Sequence, residues 1–227
     1  VTPIIDVGFA IRILPALWMG LLRSLVATFF GSVLALLLGF LLFFAISVRH
    51  RGVQRCSRFL LGFVRSTPLL VQLYCAYFIL PQIGLDLSPM VAGSVVLGLH
   101  YACFAAEVFR AGRAAVPPSQ FEISTALGLR PVQIMRLVII PQMLPVVLPG
   151  LGNTLIALFK ETPSLSAITV AELLFTARIV GAENFRYLEP MALCGLIYLT
   201  LSMIFASGVG LLESRLHWAV PHRNAAR

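Results

Sequence analysis

Five stretches of this sequence, Leu25–Val48, Phe59–Leu80, Met90–Phe109, Ile134–Phe159 and Met191–Leu212, are long and apolar enough to cross a bilayer. The hydrocarbon core is about 30 Å thick, so a helix needs about 20 residues to cross it. In lipid the backbone N–H and C=O groups must pair within the segment, which makes each stretch an α-helix. The expected fold is therefore all-α: an integral membrane helical bundle with about five transmembrane helices, one domain over residues 1–227. Composition agrees, with 59% of residues hydrophobic and 11% charged, where a soluble domain carries about 25% charged residues. The first stretch is too long for a signal-peptide core and runs into an Arg-rich loop, as a retained span does.

The formal net charge of +8 would suggest nucleic acid in a soluble protein. Here the basic residues fall in alternate loops. Arg49, Arg51, Arg55 and Arg58 follow the first span. Arg110, Arg113, Arg130 and Arg136 lie between the third and fourth, and Arg215, Arg223 and Arg227 follow the fifth. The opposite segments carry Asp6, Asp86, Glu161, Glu172, Glu183 and Glu189. Basic loops stay cytoplasmic, so the expected topology has the N-terminus outside and the C-terminus inside. The charge then needs a lipid bilayer and no nucleic acid.

Catalytic and metal chemistry find little to build on. Cys56, Cys75, Cys103 and Cys194 lie far apart and read as small buried hydrophobes. The four histidines (His50, His100, His217, His222) show no ligand spacing, so neither metal nor cofactor is expected. The only lysine is Lys160, between Phe159 and Glu161, which rules out a Walker A loop. There is no Gly-x-Ser-x-Gly elbow either. No catalytic residue is expected, and the chain is not an enzyme by itself.

The loop at about 111–133 is the longest basic one, and it interrupts the apolar pattern. Ser119 follows Pro117-Pro118 and precedes Glu122 by three, the spacing of a capping box. Gly128 stands where a helix ends on a left-handed residue. A two-turn helix over Gln120–Leu127 follows, with Ile123, Ala126 and Leu127 on one face. It is too short to stand alone. It either rests on the membrane surface or docks on a cytoplasmic partner.

Other features bear on packing or passage. Gly31, Ala35 and Gly39 recur every four residues and let another helix approach closely. Pro141, Pro145 and Pro149 are also four apart, and each removes a backbone donor. Such backbone is tolerated where protein or water satisfies it, so the fourth span is either a bent helix lining a cavity or a kinked packing helix. Arg65 lies near one end of the second span and either snorkels, pairs with Glu107 or lines the path. Gln72, deeper in that span, is interhelical glue or a pathway residue.

The loop segment "SQFEISTALGLRPVQIMRLVIIP" resembles the cytoplasmic loop motif of permease subunits in bacterial ABC importers. That motif reads Glu-Ala-Ala, three residues, Gly, about nine residues, an apolar residue and Pro. Glu122, Gly128 and Pro141 match, while Ala-Ala has become Ile123-Ser124. The wider chain is similar to the polar amino-acid branch, the histidine and glutamine permease type. "RSTPLLVQLYCAYFILP" (Arg65–Pro81) resembles its Arg-Gly-Thr-Pro-Leu-Leu-Val-Gln run, and "AAEVFRAGRAAVP" (Ala105–Pro117) its Ala-Glu-Ile-Phe-Arg-Gly-Gly segment. "LPGLGNTLIALFKETPSLSAI" (Leu148–Ile168) resembles its Leu-Pro-Pro-Leu-Gly-Asn-Glu … Lys-Asp-Thr-Ser-Leu run.

The resemblance implies a permease subunit of an amino-acid importer in the bacterial inner membrane. It implies a separate ABC ATPase subunit, a second permease subunit, identical or homologous, and an extracytoplasmic amino-acid-binding protein. Glu122, Ile123, Ala126, Leu127 and Gly128 would form a cytoplasmic coupling helix for the ATPase. Lys160, Glu161, Thr162, Arg65, Gln72 and Asn153 would belong to the substrate pathway. Lys160 would meet the α-carboxylate, Glu161 the α-amino group, and Thr162 would offer a hydroxyl. Lys160 and Glu161 can equally pair with each other. The family's Glu after Gly-Asn is Thr154 here, and its Thr-Ser is Thr162-Pro163. Losing that acid argues against a strongly cationic substrate, or leaves binding to a different partner permease. A self-sufficient secondary transporter is the first alternative, disfavoured by the lack of a two-half repeat. A membrane scaffold that moves no solute is the second, disfavoured by polar residues within the spans.

Overall fold

The computed structural model describes residues 6–48 and 50–217. Arg49, His222, Arg223 and Arg227, which entered the charge and ligand arguments, lie outside the described residues. No strand occurs among the described residues. The helices are α1 (Val7–Ser47), α2 (Arg51–Ser66), α3 (Leu69–Tyr74), α4 (Pro89–Ala115) and α5 (Pro118–Ala126). They are followed by α6 (Pro131–Gln133), α7 (Ile140–Lys160), α8 (Leu173–Glu183) and α9 (Leu188–His217). A π-helical turn, Cys75–Ile79, and a 3₁₀ turn, Leu80–Ile83, extend α3; a second π-helical turn, Ile134–Ile139, leads into α7.

Four helical stretches are long and apolar enough to cross a membrane, and the bent pair α2–α3 makes up to five. The first is far longer than its apolar stretch suggests. α1 has 41 residues, about 60 Å at 1.5 Å per residue, or twice the hydrocarbon thickness. It starts where the Asp6 carboxylate accepts the Phe9 N–H at 3.0 Å. Leu25–Val48 is thus the half of α1 nearer its C-terminus. The other half, with Phe9, Ile13 and Leu17 buried, packs on α8 and on Cys194 of α9.

The small-residue stripe makes the central contact. α1 and α4 run parallel, with Gly31 beside Ser94 and Leu97 and Gly39 beside Ala102 and Ala105. At Gly39 an added Cβ would stand 2.6 Å from the Ala105 Cβ and 2.9 Å from the Ala102 carbonyl. Only a residue without a side chain lets the two backbones come so near. Around this contact Ala27, Ala35, Leu73, Leu97, Leu158 and Leu165 form the main core.

The second span and the cysteines depart from expectation, and the fourth span, expected to be a bent or kinked helix, is a continuous helix. The second span is not straight. α2 and the following helix meet at 103°, so Phe59–Ser66 lies across the bundle end and the crossing segment begins near Leu69. Pro68 is the cause: it disfavours helical backbone at the residue before it, and Thr67 is extended. The fourth span keeps its helix through Pro145 and Pro149. With the prolines four apart, the carbonyl freed by each ring is that of the preceding proline, so the lost bonds share one side. Finally, Cys103 and Cys194 are buried but Cys56 and Cys75 are exposed on the single chain.

Candidate functional site

α5 sits at the bundle end that also carries the C-terminal ends of α1 and α4. Its start differs from the capping-box expectation. Pro117 is the N-cap, Pro118 takes the first turn, and no side chain caps the helix. Proline at the first helical position is already set at the helical φ and has no N–H to satisfy. The helix therefore begins before Ser119, whose pairing with Glu122 is not needed. The other end is as expected. Gly128 has φ +77°, its N–H donates to Thr125 O at 2.9 Å, and the Leu129 N–H donates to Ser124 O at 3.1 Å. This doubly bonded left-handed end stops the helix sharply.

α5 touches the bundle through Ser124, which is 4% exposed. Gln120 adds a bond from the Gln142 amide at 3.3 Å. Below it Val116, Ile134, Ile139 and Met143 form a compact cluster, so α5 rests on the π-helical turn that opens α7. Ile123 and Leu127, 57% and 75% exposed, are uncovered together with Ala126. Glu122 is exposed beside them. The face foreseen from helical spacing is thus uncovered in the single chain.

The polar residues near the far end of α7 separate into distinct groups. Lys160 stands in the last turn, where a cation complements the negative end of a helix. It and Glu161 are exposed, as is Asn153 two turns earlier on the same side. The Glu161 carboxylate accepts the Ser164 hydroxyl at 3.2 Å. Thr162 is fully buried, its hydroxyl donating to Phe159 O at 2.8 Å and meeting the Tyr198 hydroxyl at 2.9 Å.

Gln72 braces the α2–α3 bend. Its amide donates to Val64 O at 2.8 Å and Thr67 O at 3.1 Å, and its oxygen meets the His100 ring at 3.2 Å. Arg65 does not join this network. It lies 4.0 Å from Glu107 and over the Phe104 ring, while Glu107 pairs more closely with Arg110, at 2.7 Å.

Sequence reasoning missed two clusters. Glu172 is fully buried between α1, α8 and α9. Its carboxylate accepts the N–H groups of Leu174 and Phe175 at 2.8 and 2.7 Å and the hydroxyls of Tyr198 and Ser24 at 3.0 and 3.5 Å. A second cluster closes the bundle end at which α1 starts, where Arg186 bridges Asp6 at 3.1 Å and Glu189. The only local signal for either was an acid before an apolar helix.

A multi-pass helical bundle with a short helix uncovered at one end and exposed polar groups at the far end of a proline-rich span fits a membrane transport component. The chain belongs to the family described as binding-protein-dependent transport system inner membrane component, whose match spans residues 31–218. Among its relatives is a probable amino-acid ABC transporter permease of Sinorhizobium fredii, 37% identical over 93% of this chain and 91% of that one. Another is a probable amino-acid ABC transporter permease of Bacillus subtilis, 33% identical over 86% of this chain and 84% of that one. Among solved structures, one described as an amino acid ABC transporter with histidines superposes with a TM-score of 0.88 at 32% identity. It covers 93% of this chain and 99% of that one. An inward-facing methionine ABC transporter shares the fold, with a TM-score of 0.71 at 22% identity over 90% of this chain and 98% of that one. The chain is a multi-pass inner-membrane permease component.

Proposed function

We propose that this chain is the permease subunit of an ATP-binding-cassette importer that carries an amino acid delivered by an extracytoplasmic binding protein. The observation that carries the reading is α5, held on the start of α7 through Ser124 and open on its Ile123–Leu127 side. α5 occupies a groove of a separate ATP-hydrolysing subunit, and that subunit supplies the energy. Displacement of α5 pushes on the π-helical turn beneath it. The push then travels along α7 to Lys160 and Glu161 at the far end. Two permease subunits enclose the path. The basic loops support an orientation with α5 and the C-terminus in the cytoplasm and the N-terminus outside.

In the pathway Lys160 attracts the α-carboxylate, Glu161 faces the α-amino group, and Asn153 lines the route two turns further along α7. Thr162, Gln72 and Arg65 act as positioning residues. Thr162 ties the end of α7 to Tyr198, Gln72 fixes the α2–α3 bend, and Arg65 anchors it to Glu107.

The test is purification of the tagged chain from its host in mild detergent, with identification of retained proteins. A P-loop ATPase should come with the wild type and be lost when Glu122–Gly128 is replaced by a Gly-Ser linker. The chain alone, under conditions that keep a known importer intact, would sink the reading. In the reconstituted complex, Lys160→Ala should raise the apparent KM for the amino acid about tenfold while ATPase retention is unchanged. The tenfold corresponds to about 1.4 kcal/mol of lost charge-assisted binding. An unaltered KM would remove Lys160 from the pathway.

A further inference from the structure

We infer that α2 is an interfacial helix that binds anionic phospholipid headgroups at the bundle end carrying α5. The argument begins with its axis. α2 meets the crossing segment at 103°, so when that segment spans the bilayer α2 lies nearly parallel to the membrane plane. Its level is fixed as well: the Gln54 amide donates to Ile46 O at 3.0 Å, at the C-terminal end of α1. That is where a span passes from hydrocarbon to headgroups.

At 100° per residue the sixteen residues of α2 divide into three faces. Ser57 and Leu61 are buried and hold the helix on the bundle. Phe59, Leu60 and Phe63 form a second face with no protein over it, Phe59 being 74% exposed. Arg51, Arg55 and Arg58, with Arg65 a turn beyond, form the third. Among the described residues no carboxylate lies within ion-pair distance of Arg51, Arg55 or Arg58. A basic face beside a bare aromatic face, on a helix lying flat at a span boundary, matches the boundary between acyl chains and negatively charged headgroups.

A receptacle for one headgroup is present. A cavity of about 370 Å³ is lined by Ser47, Arg58, Glu107 and Arg110 with Ile46 and Leu61. Glu107 is the one acid there and already pairs with Arg110. The Ser47 hydroxyl already donates to Phe43 O at 2.7 Å, so Arg58 is the group that remains to meet a phosphodiester, through its positive charge.

The full chain with its co-purifying partners is reconstituted in phosphatidylcholine vesicles with and without phosphatidylglycerol, and retained lipid is counted by native mass spectrometry. Wild type should keep phosphatidylglycerol over phosphatidylcholine. The preference should fall about fivefold for each arginine removed in R51Q/R55Q/R58Q and persist in R51K/R55K/R58K. In parallel, Phe59→Trp is placed in a chain with Trp18→Phe and Trp218→Phe, and brominated phosphatidylcholine should quench its emission. Equal retention of both lipids by wild type overturns the proposal. So does loss of preference in the lysine variant, which removes charge as the cause. Emission shielded from brominated lipid in the assembled complex also overturns it, because protein would then cover the apolar face.

Discussion

Glu172 shows how much one buried side chain can hold. Four donors converge on its carboxylate, from α1, α8 and α9. In Glu172→Gln the amide nitrogen faces donors and leaves at least one unsatisfied. The expected loss is about 1–3 kcal/mol, seen as a lower Tm in detergent; Tyr198→Phe should cost about 1 kcal/mol. Asp6 gives the pH dependence of the N-terminal end of α1. The Phe9 N–H, then Arg186, hold its carboxyl below the ordinary value of 3.8. A depressed carboxyl contributes stability that is present above 3.8 and is lost as pH falls through the folded value. Amide exchange in the first turn of α1, corrected for intrinsic rate, should therefore rise below that pH, and Arg186→Gln should move the rise upward. Gly128 was legible because a helix stop is a local matter. The Ser119–Glu122 box was legible too, but two prolines outcompeted it. Glu172 was not legible, since Ser24 lies 148 positions away and Tyr198 26.

At the scale of elements, the spacing of Gly31, Ala35 and Gly39 announced a close helix contact but not its partner or its tightest point. The structure separates the positions. At Gly31 an added Cβ meets its nearest neighbour at 3.4 Å, and at Gly39 it meets Ala105 Cβ at 2.6 Å. Gly31→Ala should be near neutral, whereas Gly39→Ala should cost about 1–3 kcal/mol by forcing α1 from α4. Thermal unfolding of the two purified variants decides between them. Hydropathy found the spans and misjudged their ends. It counts Phe59–Ser66 as buried in a span because it cannot distinguish a residue crossing lipid from one lying along it. Thr67-Pro68 was the available signal for the bend. For α1 the reverse happened: Arg12 and Arg23 broke the apolar count, while the helix itself ran on from Val7.

For the whole molecule, α5 rests on the π-helical turn that opens α7, and α7 carries the exposed Lys160 and Glu161 at its far end; under the proposed function these form one mechanical path. Gly128 ends α5 on a left-handed residue, and nothing stands within 4 Å of an added Cβ. A substitution there acts through the backbone alone. Gly128→Val should cost about 1–2 kcal/mol, alter the tip of α5, and lower substrate-stimulated ATP hydrolysis at least severalfold with the chain still inserted. Gly128→Asn, which tolerates the left-handed region, should stay near wild type. Equal behaviour of the two would show that the shape of this turn is irrelevant to coupling. α1 adds a second path. It runs unbroken from the Asp6–Arg186 cluster to α2, and Pro15 is the one proline within it. A rod about 60 Å long that tilts by 5° at one membrane face carries its opposite tip about 5 Å sideways. With α2 seated in the headgroup layer as inferred above, α1 would act as a lever, and a small rocking at the α2 end would become a stroke as wide as an amino-acid side chain.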